Sequence, residues 1–167
     1  MIFTTLFIFM IIELLIVSYV DLKVRKVANI WSVFHILIFG LITSYNAMNG
    51  IFDWKALVIP VCFVTVGFIL FVFNVAGAGD VKFISSFLLI LSERQQIEFL
   101  YYLTWITVIV GGTLAIKNII LNREKILVYL GIKEKKIIAG VFGKKFPYTP
   151  LVLLAWIVFG CKELNLI

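Results

Sequence analysis

The chain has 167 residues, 63% of them hydrophobic and only 14% charged, with a formal net charge of +6. A soluble domain of this length has too little interior for that apolar load, so the composition excludes a water-soluble globular enzyme and indicates an integral membrane protein. Cys62 and Cys161 sit in apolar runs and form no CxxC pair, and His35 is the single histidine, which argues against a zinc site or a disulfide framework.

A membrane-spanning helix needs about 20 apolar residues. The first candidate, 2–20, has no basic n-region and no small-residue cleavage site, so it is read as a span and not as a signal peptide. Further spans are expected at 30–47, 56–76, 81–92, 97–116 and 147–161, the fourth and sixth being short. No polar segment is long enough to bury a core of its own. The expectation is one all-α, polytopic transmembrane domain over 1–167 with about six helices.

Basic residues in short loops set orientation. With the first, third and fifth loops facing the cytoplasm, that side holds Lys23, Arg25, Lys26, Lys82, Lys117, Arg123, Lys125, Lys133, Lys135, Lys136, Lys144 and Lys145. The other side keeps Lys55, Arg94 and Lys162. Both termini are then outside, the protein is a multi-pass inner-membrane protein, and the positive charge reports topology and attraction to anionic lipid, not nucleic-acid binding. Residues 118–130 suit either an amphipathic helix on the cytoplasmic surface or an extension of the fifth span.

Glu93, Glu98, Asp53, Glu124, Glu134 and Glu163 fall in loops or at span ends, where water solvates them. Asp21, Asp80 and Glu13 need another explanation. Asp21 ends the first span and Asp80 opens the fourth, so the orientation brings both to the cytoplasmic side on different helices. Two carboxylates at close range share a proton, the arrangement of an aspartic protease: one activates water and the other protonates the scissile carbonyl. The fourth span is short enough to leave Asp80 below the membrane surface, unless its helix continues to about Glu98. A carboxylate at that depth is a functional candidate.

Asp80 follows "NVAGAG", and a non-helical break at membrane depth is tolerated where it lines a cavity. Gly77 and Gly79 open backbone angles closed to other residues and let an extended peptide approach. By helix dipoles, Asp80 suits the base and Asp21 the acid, although Lys23, Arg25 and Lys26 oppose that assignment. Glu13 is read as structural, about 12 Å deeper than Asp21. His35 is read as a satisfied interior histidine, and Ser85, Ser86 and Thr104 as inter-helix packing residues. No base for a nucleophilic serine is apparent.

Together these features resemble the type IV prepilin peptidases, membrane aspartyl proteases with a GxGD motif. Gly77, Gly79, Asp80 and Lys82 match the second aspartate motif. "DLKVRKVAN" supplies Asp21, the basic residues and Asn29 of the first, with Val27 for isoleucine and Ala28 in place of proline. "FPYTP" matches the entry to the last span at Pro147, Tyr148 and Pro150, with Thr149 in place of glycine. The resemblance implies that Asp21 and Asp80 are catalytic. It also implies that Gly77, Gly79, Lys82, Asn29, Pro147, Tyr148 and Pro150 receive a pilin-like precursor, which is cut before its hydrophobic helix at the cytoplasmic face. Larger bacterial members add a domain with paired CxxC motifs that methylates the new N-terminus. This chain looks like the short, peptidase-only form, so neither S-adenosylmethionine nor a metal cofactor is expected. Archaeal preflagellin peptidases are a near alternative, while the presenilin group, which also has GxGD, uses more spans than this length holds. The rivals from other classes are a proton- or cation-coupled transporter, with Glu13, Asp21 and Asp80 as a carboxylate relay, and a non-catalytic assembly factor.

Overall fold

The computed structural model describes residues 2–50, 54–72, 77–121 and 147–164. Among these residues there are six α-helices and no strands: α1 (Ile2–Val24), α2 (Asn29–Met48), α3 (Val58–Val72), α4 (Ala78–Leu88), α5 (Glu93–Leu121) and α6 (Thr149–Glu163). A 3-10 turn, Trp54–Leu57, leads into α3. Three helices are long and apolar enough to cross a membrane alone: α1 over Thr4–Val24, α2 over Asn29–Met48 and α5 over Glu93–Leu114.

The helix ends follow local chemistry. α1 runs past the expected end at residue 20 and includes Asp21. It stops where Arg25 takes a left-handed φ of 55° and its N–H reaches the Asp21 carbonyl at 2.7 Å. That is the αL helix stop, built here without glycine. Ala28, with φ −72° and ψ 139°, then starts α2. α4 has 11 residues, about 17 Å, against a hydrocarbon core of about 30 Å. Its helix does not continue to Glu98: the chain turns through Leu89–Ser92, and the Gln95 side-chain oxygen accepts from the Ser92 N–H and hydroxyl at 3.1 and 2.9 Å. This Ser-x-x-Gln cap restarts the chain as α5. α5 continues as a helix to Leu121, beyond the expected end at 116. The proposed amphipathic stretch beyond Leu121, with Arg123, Glu124 and Lys125, lies outside the described residues, as do 73–76 of the expected third span.

Close backbone packing falls into two groups. α1 packs on α6 and α6 on α5, while α2 and α3 each pack on α4. In lipid, apolar helices gain little from burial alone, so close approach and interhelical hydrogen bonds carry the association. Two glycines provide the approach. A Cβ on Gly160 would collide with the Phe7 ring, and one on Gly67 with the Val81 side chain. The groups meet at an aromatic centre: Phe87 of α4 lies 5.1 Å from both Trp156 of α6 and Phe99 of α5.

Gln96 adds a polar staple. Fully buried, its amide nitrogen donates toward the carbonyls of Ala56, Leu88 and Leu91 at 2.8, 2.9 and 2.9 Å. It fixes the α4–α5 corner to the turn before α3. At the same end of the bundle, Lys162 and Arg94 pair with Glu98 at 3.2 and 3.3 Å. Asp21, Asp80 and the start of α6 occupy the opposite end.

Candidate active site

Asp21 lies on the inner stripe of α1. Met10, Glu13, Leu14, Val17, Ser18 and Asp21 recur at helical spacing and are all buried. The Asp21 side chain, 3% exposed, accepts the Thr149 N–H at 3.2 Å. Thr149 is the first residue of α6, and helix N-termini leave such N–H groups without an intrahelical partner. Asp21 therefore caps α6 from another helix. Pro150, with no N–H of its own, follows it in the first turn, and Leu151 and Val152 donate to the Tyr148 carbonyl.

Asp80 lies in the first turn of α4, three residues after the capping position Gly77. Its carboxylate folds back over that turn: a Cβ on Gly77 would stand 2.6 Å from Asp80 Oδ2. Gly79 brings the same turn against the α1–α2 link, where an added Cβ would lie 3.4 Å from the Val27 carbonyl oxygen. The two glycines are thus explained by space and not by backbone angle. Gly77 has φ −78°, open to any residue, and among the described glycines only Gly50 has a positive φ.

The two acids share one cavity of about 260 Å³, lined also by Arg25, Lys26, Val27, Asn29, Gly77, Ala78, Gly79, Lys82 and Pro147. Acids and cations from the end of α1 with the α1–α2 connection and from the start of α4 converge there, joined by Pro147 from the approach to α6. Among the expected substrate-contacting residues, Gly77, Gly79, Lys82, Asn29 and Pro147 line the cavity. Tyr148 and Pro150 do not; the Tyr148 hydroxyl instead meets Thr107 of α5 at 2.9 Å. The role of FPYTP visible here is to seat the α6 N-terminus on Asp21.

This geometry removes the dipole basis for Asp21 as acid and Asp80 as base. Asp21 does lie in the last turn of α1, but it also faces the N-terminus of α6, so each carboxylate stands where a helix favours an anion. Arg25, Lys26 and Lys82 face the cavity both acids share.

Other polar residues sort as follows. Ser85 donates to the Pro60 carbonyl across the α3–α4 contact at 3.1 Å, a packing role. Thr104 bonds back to Leu100 in its own helix at 2.8 Å and is exposed, so this bond lies within α5 and not between helices of the described residues. Ser86 does have a base nearby, contrary to the sequence reading. His35 Nδ1 is 3.1 Å from its hydroxyl, and Glu13 is 2.8 Å from His35 Nε2. The order of groups is that of a serine hydrolase, but Ser86 is buried, does not line the cavity, and donates to the Phe83 carbonyl at 2.9 Å. Pairing of Glu13 with His35 was not legible in sequence, because periodicity gives the inner face of a helix but not the helix it meets.

Neither the curated proteins nor the solved structures offer a match. The family model described as the type IV leader peptidase family matches residues 8–116, more than half of the chain. The matched stretch contains Asp21, Asp80 and the whole of α2, α3 and α4. This chain belongs to the type IV leader peptidase family.

Proposed function

We propose that the protein is a membrane aspartyl endopeptidase that removes the leader from type IV pilin-like precursors at the cytoplasmic face. One observation carries the reading: Asp21 and Asp80, distant in sequence and borne by different helix groups, line the same cavity. The family membership supports the substrate class. In this reading all six helices are embedded, with both termini outside and the aspartate end inside, as the distribution of basic residues requires.

The chemistry follows from the pair. Close carboxylates hold one proton between them, the ionised member draws a proton from water, and the protonated member donates to the scissile carbonyl oxygen. Arg25, Lys26 and Lys82 oppose the build-up of negative charge around the dyad. The cavity beside the first turn of α4 gives an extended backbone room next to Asp80. The precursor's apolar helix lies along the spans and its leader peptide lies in the cationic mouth.

The test is co-expression with a pilin-like precursor, followed by mass measurement of the product. Leader loss with the wild-type chain and none with Asp80→Asn supports the reading. An unprocessed precursor with both, together with proton-coupled uptake into vesicles that Asp80→Asn abolishes, establishes a transporter instead.

A further inference from the structure

The two aspartates are carried by different groups of helices. Asp21 is on α1, which packs on α6; Asp80 is on α4, which packs on α2 and α3. Among the described residues no equally close backbone packing joins α1 to α4. Something must set how far α1 stands from α4 at the aspartate end. The aromatic centre joins the groups at mid-bundle, and Gln96 ties α5 to α4 at the end away from the aspartates. A polar link on the aspartate side of that centre would fix how far the two acids stand apart.

We propose that the buried chain Glu13–His35–Ser86 is that link, and that its members are positioning residues for the peptidase reaction. The proposal rests on the aspartyl peptidase reading above. Glu13 on α1 meets His35 Nε2 at 2.8 Å, and His35 on α2 meets Ser86 on α4 at 3.1 Å. Three helices are tied through one imidazole. The levels agree. Glu13 is eight residues from Asp21, about 12 Å along α1, and Ser86 is six residues from Asp80, about 9 Å along α4. His35 is likewise six residues from Asn29 of the cavity rim, about 9 Å along α2. The tie therefore crosses the bundle one layer inside the cavity, on the two helices that bear the acids.

Proton accounting shows why it can be buried. Ser86 gives its hydrogen to the Phe83 carbonyl, so it accepts from His35 Nδ1–H. Nε2 faces the Glu13 carboxyl oxygen at 2.8 Å, and a carboxylate beside an imidazolium carries no net charge as a pair. Phe83 and Phe87 flank the imidazole at ring-centroid distances of 5.2 and 5.7 Å, which leaves the ring little freedom to turn. Glu13, 4% exposed, and His35, 0% exposed, are both out of contact with water. Breaking one member strands a polar group, whereas replacing both partners by apolar groups removes that penalty.

The experiment uses the full chain in lipid vesicles and a pilin-like precursor, with kcat, KM and thermal midpoint measured for each variant. Glu13→Gln keeps the side-chain shape and can offer its amide N–H to Nε2, so it is expected to keep kcat within about threefold. Glu13→Leu is expected to lower kcat about 100-fold with KM within about threefold, the effect of an ångström-scale misplacement of reacting groups. The pair Glu13→Leu with His35→Leu leaves Ser86 bonded to Phe83. It should regain the wild-type thermal midpoint and remain about 100-fold down in kcat. Recovery of kcat together with stability in that double variant overturns the proposal, because the chain is then only structural. Full kcat in Glu13→Leu, or a rise in KM alone, also overturns it. Asp80→Asn run alongside separates the readings: if that variant still cleaves, the peptidase account fails on its own.

Discussion

Substitution of Gly77 by alanine tests how closely Asp80 is set. The new Cβ would stand 2.6 Å from Asp80 Oδ2, about 0.8 Å inside the 3.4 Å at which ordinary contact begins. The backbone does not object, since φ −78° and ψ 134° are open to alanine. The side chain of Asp80 gives way instead, by rotating away from the first turn of α4. Loss of stability is then small, under about 1 kcal/mol for glycine to alanine at a capping position. Loss of rate is large, because a shift approaching 1 Å in a reacting carboxylate lowers turnover by about 10- to 100-fold. Gly79→Ala is the control one residue before Asp80. Its Cβ would meet the Val27 carbonyl at 3.4 Å, ordinary contact, and alanine inside a helix gains about 0.5–1 kcal/mol over glycine. The assay is precursor cleavage by each purified variant, with thermal unfolding in detergent measured in parallel. Gly77→Ala folded and crippled, with Gly79→Ala folded and within about threefold of wild type, is the expected pattern. Gly77→Ala at wild-type rate refutes the reasoning. So does a dead Gly79→Ala, which would mean that a peptide, and not Val27, occupies the space beside it.

Two more substitutions probe the frame. Ala28 holds φ −72°, inside the range a proline ring imposes, so Ala28→Pro should raise stability by about 0.4–1 kcal/mol and leave cleavage intact; a fall in thermal midpoint would contradict that geometry. Gln96→Leu leaves the Ala56, Leu88 and Leu91 carbonyls without their buried donor and should cost about 1–3 kcal/mol in a chemical unfolding series, while an unchanged midpoint would show that Gln96 does not hold the corner.

Much of this was legible in the residues. Apolar run lengths placed all six helices, and the positions of Asp21 and Asp80 at two run ends of the same polarity brought them to one end of the bundle. Boundaries moved where capping chemistry decides. α1 took in Asp21 because Arg25, not the first polar residue, stops it, and the α4–α5 corner is set by Ser92 and Gln95. What stayed hidden depends on which helix meets which. The Thr149 N–H on Asp21, the three carbonyls around Gln96 and the contact of Glu13 with His35 all cross between elements far apart in sequence. A sequence marks each of these polar residues as unusual in an apolar run, and the fold supplies the partner. The glycines were noticed for the right place, but not for special backbone angles, which the fold does not use there; crowding by Asp80 and Val27 needs coordinates to see.

The central claim, that Asp21 and Asp80 act as one unit on a peptide bond, is tested most directly by comparing Asp21→Asn, Asp80→Asn and the double variant in single-turnover cleavage of a pilin-like precursor. Groups that work as a unit give non-additive losses. The account predicts that each single variant is as inactive as the double one while all three remain folded. Residual cleavage in either single variant, with losses that multiply in the double, would contradict it.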